Sequence, residues 1–399
     1  MHRVRCAFGL VLLPALAATS AAQQRTLVVD AAAGPFFDLP PAVAASRPGD
    51  RIEVHAAAVP YSYTTITTGL DIDAQAGAVV GGLQVYLLAP YHAVRVEGLT
   101  VRGSITTMGT FNGLIVDFCQ GPVHLHRVTA GGISISTSSR VLLSDCTITG
   151  VDGLRPTSPG ALGVGVSSVV ATRCSVHGYD AIPGAGQNAI QLTNGTLTLV
   201  DCTVTGGNGG VPLNCGTGGQ VPGAGGDAIT GTGSVVAIGT SALHGGAGGS
   251  CGVLTAPGGV AAGPAVSLRL GPAVTLAGTT GSPPVAIGEP PLLGVSTLLL
   301  QGGVAQIAVT TVPAAVVLLG IDIWHDLQPL SGSELPILLP LTSASLAGIA
   351  VADGAGQAQF AFPLPTAPWI ANQFLVLQGA VFAGSSAMQL TSPGVARIR

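Results

Sequence analysis

The 399-residue chain contains no lysine, so lysine Schiff-base chemistry and a phosphate-loop lysine are both closed to it. Its 14 basic residues are all arginine, and charged residues make up only 8% of the chain. No basic stripe exists, which argues against nucleic acid as a partner. Aromatic residues are scarce as well, at 4%. No Gly-x-Ser-x-Gly, dinucleotide fingerprint, C-x-x-C or histidine-rich metal spacing occurs. Beyond residue 22 no run of about 18 apolar residues appears, so no transmembrane segment is expected after that point.

What remains is glycine and small apolar residues. Glycine (59) and proline (28) together stay below the fraction that marks a disordered polymer. At 47% hydrophobic, the chain must bury a large surface. Its first 22 residues read as a signal peptide: Arg3 and Arg5, an apolar stretch over 7–18, then Ser20-Ala21-Ala22 as a cleavage site. Removing them leaves 12 basic against 18 acidic side chains, a net charge of −6. The expected product is exported, to the periplasm, the cell surface or the medium.

Internal repetition is the strongest signal. One phrase recurs as VRVEGLTVRG at 94–103, VHLHRVTAGG at 123–132, VLLSDCTITG at 141–150, VVATRCSVHG at 169–178 and LTLVDCTVTG at 197–206. A looser copy, VAIGTSALHG, lies at 236–245. The shared slot holds Leu99, Val128, Cys146, Cys174, Cys202 and Ser241, spaced 29, 18, 28, 28 and 39 residues apart. The pairs Ala161-Leu162, Ala189-Ile190 and Ala228-Ile229 precede the last three slots, so the long spacing reads as an insertion over 206–226.

Strand alternation puts Leu197 and Leu199 on one face, and Cys202 and Val204 on one face, but the two sets differ in parity. A corner at Val200-Asp201 turns both inward. Two short strands and a corner per coil, closed by Gly103, Gly150, Gly178, Gly206 and Gly245 at positive φ, describe a right-handed parallel β-helix. The corner residues Arg127, Asp145, Arg173 and Asp201 would stack outward as an ion ladder worth ~0–1 kcal/mol per pair.

Six residues beyond the slot, Asp152, Asp180 and Asn208 fall in one column, with His177 beside it and Arg155 close by. Such oxygens suit calcium or sugar hydroxyls; the plainer alternative is that they bond their own turns. Cys146, Cys174 and Cys202 read as buried thiols, and Cys215 with Cys251, in glycine-rich segments, as a disulfide. His124 and His126 with Arg95 form a small basic patch. Asp71 and Asp73 share a strand face near the N-terminus, with a surface role expected.

The opening FDLPPAVAASRPGDRIEV at 37–54 reads as a short helix, a turn and a strand covering the first coil. Together with the V-x-L-x-D-C-T-V-x-G phrase it resembles the pectate-lyase-like β-helix superfamily over residues 27–280. That resemblance implies the fold. Since its lyases use calcium and an arginine base, it also implies Arg155 as a catalytic candidate, with His177, beside the column, as the second. Residues 283–399, through VVLLGID, LPILLPL and FAFPLPTAPWIANQFLVLQGAVF, resemble a C-terminal module of bacterial secreted β-helix proteins and imply sorting, anchoring or capping. The expected organisation is a signal peptide over 1–22, a β-helix over 23–282 and an antiparallel β-sandwich over 283–399. The expected function is a non-catalytic extracellular scaffold or binder, with polysaccharide the candidate ligand. The alternative is a carbohydrate-active enzyme, either a calcium-dependent lyase or a hydrolase.

Overall fold

The computed structural model describes residues 25–102, 113–151, 160–212, 221–251, 254–296, 298–323, 325, 327, 333, 335–339, 344–366, 373–384 and 388–399. As far as Val285–Ala286 the chain is almost entirely short parallel strands stacked coil on coil, with one helix, Leu39–Ala45. Asp38 caps that helix through Oδ1 to the Leu39 N–H, and Leu39 and Ala42 join the apolar core.

The coils stack in the register the repeat dictates. Val94 pairs with Val123, Val123 with Val141, Val141 with Val169 and Val169 with Leu197. Val204 pairs with Leu243 across the longest interval. Val94, Val96, Leu99 and Val101 are buried in one coil, and Val141, Leu143, Cys146 and Ile148 in another. Both parity sets therefore face one interior.

Each coil has a third strand that the two-strand expectation omitted. Face 1 includes Leu70–Ala74, Val94–Glu97, Val123–His126, Val141–Ser144 and Ser168–Thr172. Face 2 includes Thr100–Val101, Thr129–Ala130, Thr147–Thr149, Ser175–His177, Thr203–Thr205 and Ala242–His244. Face 3 includes Thr64–Ile66, Leu83–Tyr86, Leu114–Asp117, Ile133–Ser136 and Leu162–Gly165. Faces 1 and 3 merge in the long strand Ile190–Val200, bent at Asn194.

The corners correct the glycine expectation. Positive φ falls on Gly98, Arg127, Asp145, Arg173, Asp201 and Gly239, between faces 1 and 2. Gly150, Gly178, Gly206 and Gly245 do not have it, and Gly103 lies outside the described residues. These glycines are required by close approach instead: a Cβ on Gly178 would sit 2.0 Å from the Gln187 carbonyl oxygen, and one on Gly206 1.9 Å from that of Gly226.

A left-handed corner interrupts the ladder, and the slot residue repairs it. The Cys174 N–H donates to Cys202 Sγ at 3.4 Å, and the Cys202 N–H to Ser241 Oγ at 3.1 Å. Cys202 Sγ in turn donates to the Ala171 and Val200 carbonyls, each at 3.3 Å. Cys119, Ser138 and Ser167 do the same at the corner between faces 3 and 1. Cys119, Cys146, Cys174 and Cys202 are free thiols. Burial pushes the Cys202 thiol well above its ordinary pKa, so it is an inert, small hydrogen-bonding group.

From Leu292 onward the strands are mostly antiparallel. Leu292–Val295, Val304–Thr310 and Gln357–Pro363 form one sheet. Val316–Asp322, Ser345–Val351, Phe374–Phe382, Gln389–Leu390 and Gly394–Ile398 form another, with Leu298–Leu299 added in parallel. Ile307, Val309, Phe360, Val317, Leu319, Leu375 and Leu377 share one apolar cluster. The second sheet is buried on its other side too: Phe374, Val376 and Val395 pack on Leu142 and Val170 of face 1, and Leu390 packs with Val200, Val236 and Ile238. Face 1 is thus covered on both sides.

Candidate functional site

A chain with so few ionisable groups invites the question of what each one does. The expected oxygen column is described only in part. Asp152 and Arg155 lie outside the described residues. Asp180 and Asn208 do line up one coil apart, but their oxygens are aimed at backbone. Asp180 Oδ1 accepts from the Asn208 N–H at 2.6 Å, and Asn208 Oδ1 accepts from the Ala247 N–H at 2.8 Å. A second ladder repeats the device: Asn188 Oδ1 accepts from the Asp227 N–H at 2.7 Å and Asp227 Oδ1 from the Val260 N–H at 2.9 Å. These side chains are rungs between coils. Among the described residues no group of three or more His, Cys, Asp or Glu converges to hold a metal. His177, at the end of Ser175–His177, lies between Thr149 and Thr205, and its carbonyl accepts from the Gly150 N–H at 2.7 Å.

The glycine-rich segments beside this column form a bonded body. Gly206 and Gly209 donate to the carbonyls of His244 and Ala247, and Gly207 and Gly210 to those of Gln187 and Gly184. Gly223 and Gly226 donate to Gly210 and Gly207; Gly246 and Gly249 donate to Gly226 and Gly223; Ala256 and Gly259 donate to Gly249 and Gly246. Every pair is three residues apart on both strands. A threefold period with outward backbone donors is that of a polyproline-II-like helix, and glycine lets such helices touch. The sequence signal was the recurrence of GG at intervals of three. Cys251, at the rim of this bundle, is disulfide-bonded, while Cys215 lies outside the described residues.

The densest ionisable cluster is elsewhere, where face 1 meets the C-terminal sheet. His124 does pair with Arg95 in register, but neither forms a surface patch: Arg95, Glu97, His124 and His126 are all buried. The Phe374 ring covers them, 5.0 Å from His124, 4.8 Å from His126 and 5.0 Å from the Arg95 guanidinium. Ser144 Oγ bridges His124 Nε2 at 2.8 Å and His126 Nδ1 at 2.9 Å. Arg95 donates to Gln373 Oε1 at 3.1 Å and to the Ile323 carbonyl at 2.9 Å. Arg397 pairs with Glu97 and with Asp73, the latter at 3.0 Å. Asp73 also pairs with Arg51, and Asp71 lies 3.6 Å from Arg95. The two aspartates are thus half-buried at the margin of the junction.

Burial lowers the pKa of His124 well below the ordinary imidazole value, helped by the facing charges of His325, His126 and Arg95. Burial also takes His126 down to about 4, against the opposing pull of Asp145. Both rings are neutral at physiological pH. At the edge of the junction opens a cleft of about 510 Å³ lined by Glu53, Asp73, Gln75, Arg127, Arg397 and Arg399. On the corner above, Arg173 holds Asp145 with two bonds of 2.7 and 2.8 Å, and Arg127 holds Glu97.

No protein-family model and no curated protein matches the chain in sequence.

Proposed function

We propose that the chain is an exported right-handed parallel β-helix of the pectate-lyase-like type, with its helix as N-terminal cap and a C-terminal β-sandwich. We propose further that it serves as a non-catalytic extracellular or cell-surface scaffold that binds polysaccharide. One observation carries this reading. The most densely clustered of the described ionisable side chains hold the fold: His124, His126, Arg95 and Glu97 lie buried beneath Phe374 and Arg397, and Asp180 and Asn208 each give one oxygen to a rung between coils. Catalytic groups must reach substrate; buried, bridged groups do not.

The test is a glycan array run beside a depolymerisation panel of acidic and neutral polysaccharides, with and without calcium. Binding without chain cleavage is expected. Calcium-dependent cleavage that Arg155→Ala abolishes would install the lyase alternative, and silence in both assays would remove the binder.

A further inference from the structure

The few charged side chains of this chain gather at one seam, where the N-terminal coils of face 1 meet the strand Gly394–Ile398. Among the described residues five guanidiniums, Arg51, Arg95, Arg127, Arg397 and Arg399, stand there with four carboxylates, Glu53, Asp71, Asp73 and Glu97. Asp71 faces Arg95 at 3.6 Å, Asp73 holds Arg51 and Arg397, and Glu97 holds Arg127 and Arg397. Glu53 lies 3.4 Å from His55 Nε2 and accepts from Gln75 Nε2, also at 3.4 Å. Exposed Arg399 makes no ion pair with a described residue. Five guanidiniums against four side-chain carboxylates leave one positive charge over.

Folding alone does not account for this gathering. A buried ion pair adds little net stability, because desolvation offsets the attraction. Farther along, the same junction is sealed without charge by Leu142, Val170, Val376 and Val395. At the seam Glu97 and Arg397 are nonetheless buried. The cleft of about 510 Å³ opens there, and Ala74, Ala76 and Gly98 line it with almost no side chain of their own.

Three guanidiniums line this cleft from two sides. Arg127 comes from a solenoid corner. Arg397 and Arg399 come from the C-terminal sheet, two residues apart and so on one face of the chain; the Arg399 N–H extends the ladder by donating to the Leu299 carbonyl at 2.8 Å. Glu97 holds Arg127 and Arg397 at once, which fixes both before a ligand arrives. An arginine fork fits the oxygens of phosphate or carboxylate. Three converging forks call for three acceptor oxygens, which a phosphomonoester supplies and a carboxylate does not. The volume exceeds that of a bare phosphate and lies in the range of small-molecule sites, so the ligand carries an organic body. Gln75 and Glu53, which also line the cleft, are the groups to meet its hydroxyls or amine.

We propose that this cleft binds a small phosphomonoester, with the phosphate seated among Arg127, Arg397 and Arg399 and the polar body toward Gln75 and Glu53. The same chemistry is offered by a soluble ester and by a phosphate-bearing lipid headgroup. The site does not depend on the polysaccharide-binding reading above. Because the phosphate would touch both the solenoid and the C-terminal sheet, its binding ties the two together and stabilises the folded chain.

Calorimetric titration of the full chain in phosphate-free buffer of low ionic strength tests it. The probes are glycerol 3-phosphate, inorganic phosphate, succinate, and phosphatidylcholine vesicles with and without phosphatidate. Arg399→Gln is the site variant, and Arg47→Gln, an exposed arginine outside the cleft, is the control for general charge. Glycerol 3-phosphate is expected to bind wild type and Arg47→Gln alike and to raise the melting temperature of both. Arg399→Gln should bind it about tenfold or more weakly while melting, without ligand, at the wild-type temperature. Binding of phosphatidate vesicles without binding of glycerol 3-phosphate, lost in Arg399→Gln, assigns the site to a lipid headgroup. Full affinity in Arg399→Gln overturns the proposal, as does an equal loss in Arg47→Gln. Succinate or inorganic phosphate binding as tightly as the ester overturns the ligand class, and no binding of any probe overturns the site.

Discussion

The guanidinium of Arg95 lies 5.0 Å over the ring of Phe374, joining the outer side of a solenoid strand to the C-terminal sheet. This contact places a cation, two imidazoles and an aromatic ring in one dry junction, so the two halves of the chain are energetically coupled. Phe374→Ala removes the ring that covers His124, His126 and Arg95. It should cost about 3–5 kcal/mol. Calorimetry should show it as a single unfolding transition splitting in two, the C-terminal sheets melting first. A variant that melts as one unit at the wild-type temperature would show that the junction does not couple them.

The same junction should be labile to acid. Around His124 and His126 stand Ser144, Asp145, Arg95, Arg127 and Arg173 from the solenoid, and His325, Phe374 and Arg397 from the C-terminal region. His126 has its pKa lowered from 6.5 to about 4 when packed. Between those values the unpacked form binds more protons, so packing is fully favoured above pH 6.5 and weakens as pH falls toward 4. Melting temperature should therefore drop over that window. The H124Q/H126Q variant should flatten the drop; an unchanged slope would assign the acid sensitivity to other groups.

Leu99 and Val128 fill the slot in earlier coils, but where the slot residue accepts an N–H, as Cys202 does from Cys174, serine should replace it at lower cost than an apolar isostere. Ser241, Ser138 and Ser167 already fill equivalent slots, with oxygens accepting the same kind of N–H. Cys202→Ser should cost less than about 1 kcal/mol. Cys202→Val orphans the Cys174 N–H in a dry interior and should cost about 1–3 kcal/mol. Urea unfolding separates the two. Equal losses would mean that packing alone, and not the hydrogen bond, decides the slot.

Much of the solenoid was legible because its signal is a register. The slot spacing located the stacked pairs from Val94 to Leu243, since a parallel coil repeats the same parity each time. Face 3 was legible only as the pairs Ala161-Leu162, Ala189-Ile190 and Ala228-Ile229, whose second members open its strands. They were not read as strands because the gap separating each from the phrase before it varies in length. The covering of face 1 left a mark that went unread: Leu142, Val170, Val200, Val236 and Ile238 occupy outward positions where a solvated face would be polar. The column of Asp180 and Asn208 was found by spacing, but spacing cannot tell a rung from a ligand. That distinction lies in where the oxygens point.

Cys251 is disulfide-bonded, and we propose Cys215 as its partner, closing the rim of the glycine bundle. Non-reducing peptide mapping should recover a crosslinked Cys215–Cys251 pair. Cys215→Ser should lower the melting temperature, in keeping with about 2–4 kcal/mol for a native bridge. Recovery of both as free thiols would remove the bridge.

Glycine has two distinct roles in this chain, and substitution should separate them. In the bundle a Cβ on Gly206 would stand 1.9 Å from the Gly226 carbonyl oxygen, which is backbone and bonded on into the next segment. Nothing there can yield without parting hydrogen bonds that repeat every third residue. Gly206→Ala should thus fall in the exceptional range above about 4 kcal/mol, or prevent folding. Gly165→Ala meets only ordinary contact at 3.7 Å, with no positive φ. Alanine also narrows the unfolded ensemble, so this change should be neutral or stabilising by about 0.4–1 kcal/mol. Side-by-side chemical unfolding reads both. If Gly206→Ala were tolerated as well as Gly165→Ala, the bundled segments would not be in contact and the threefold bonding pattern would be wrong.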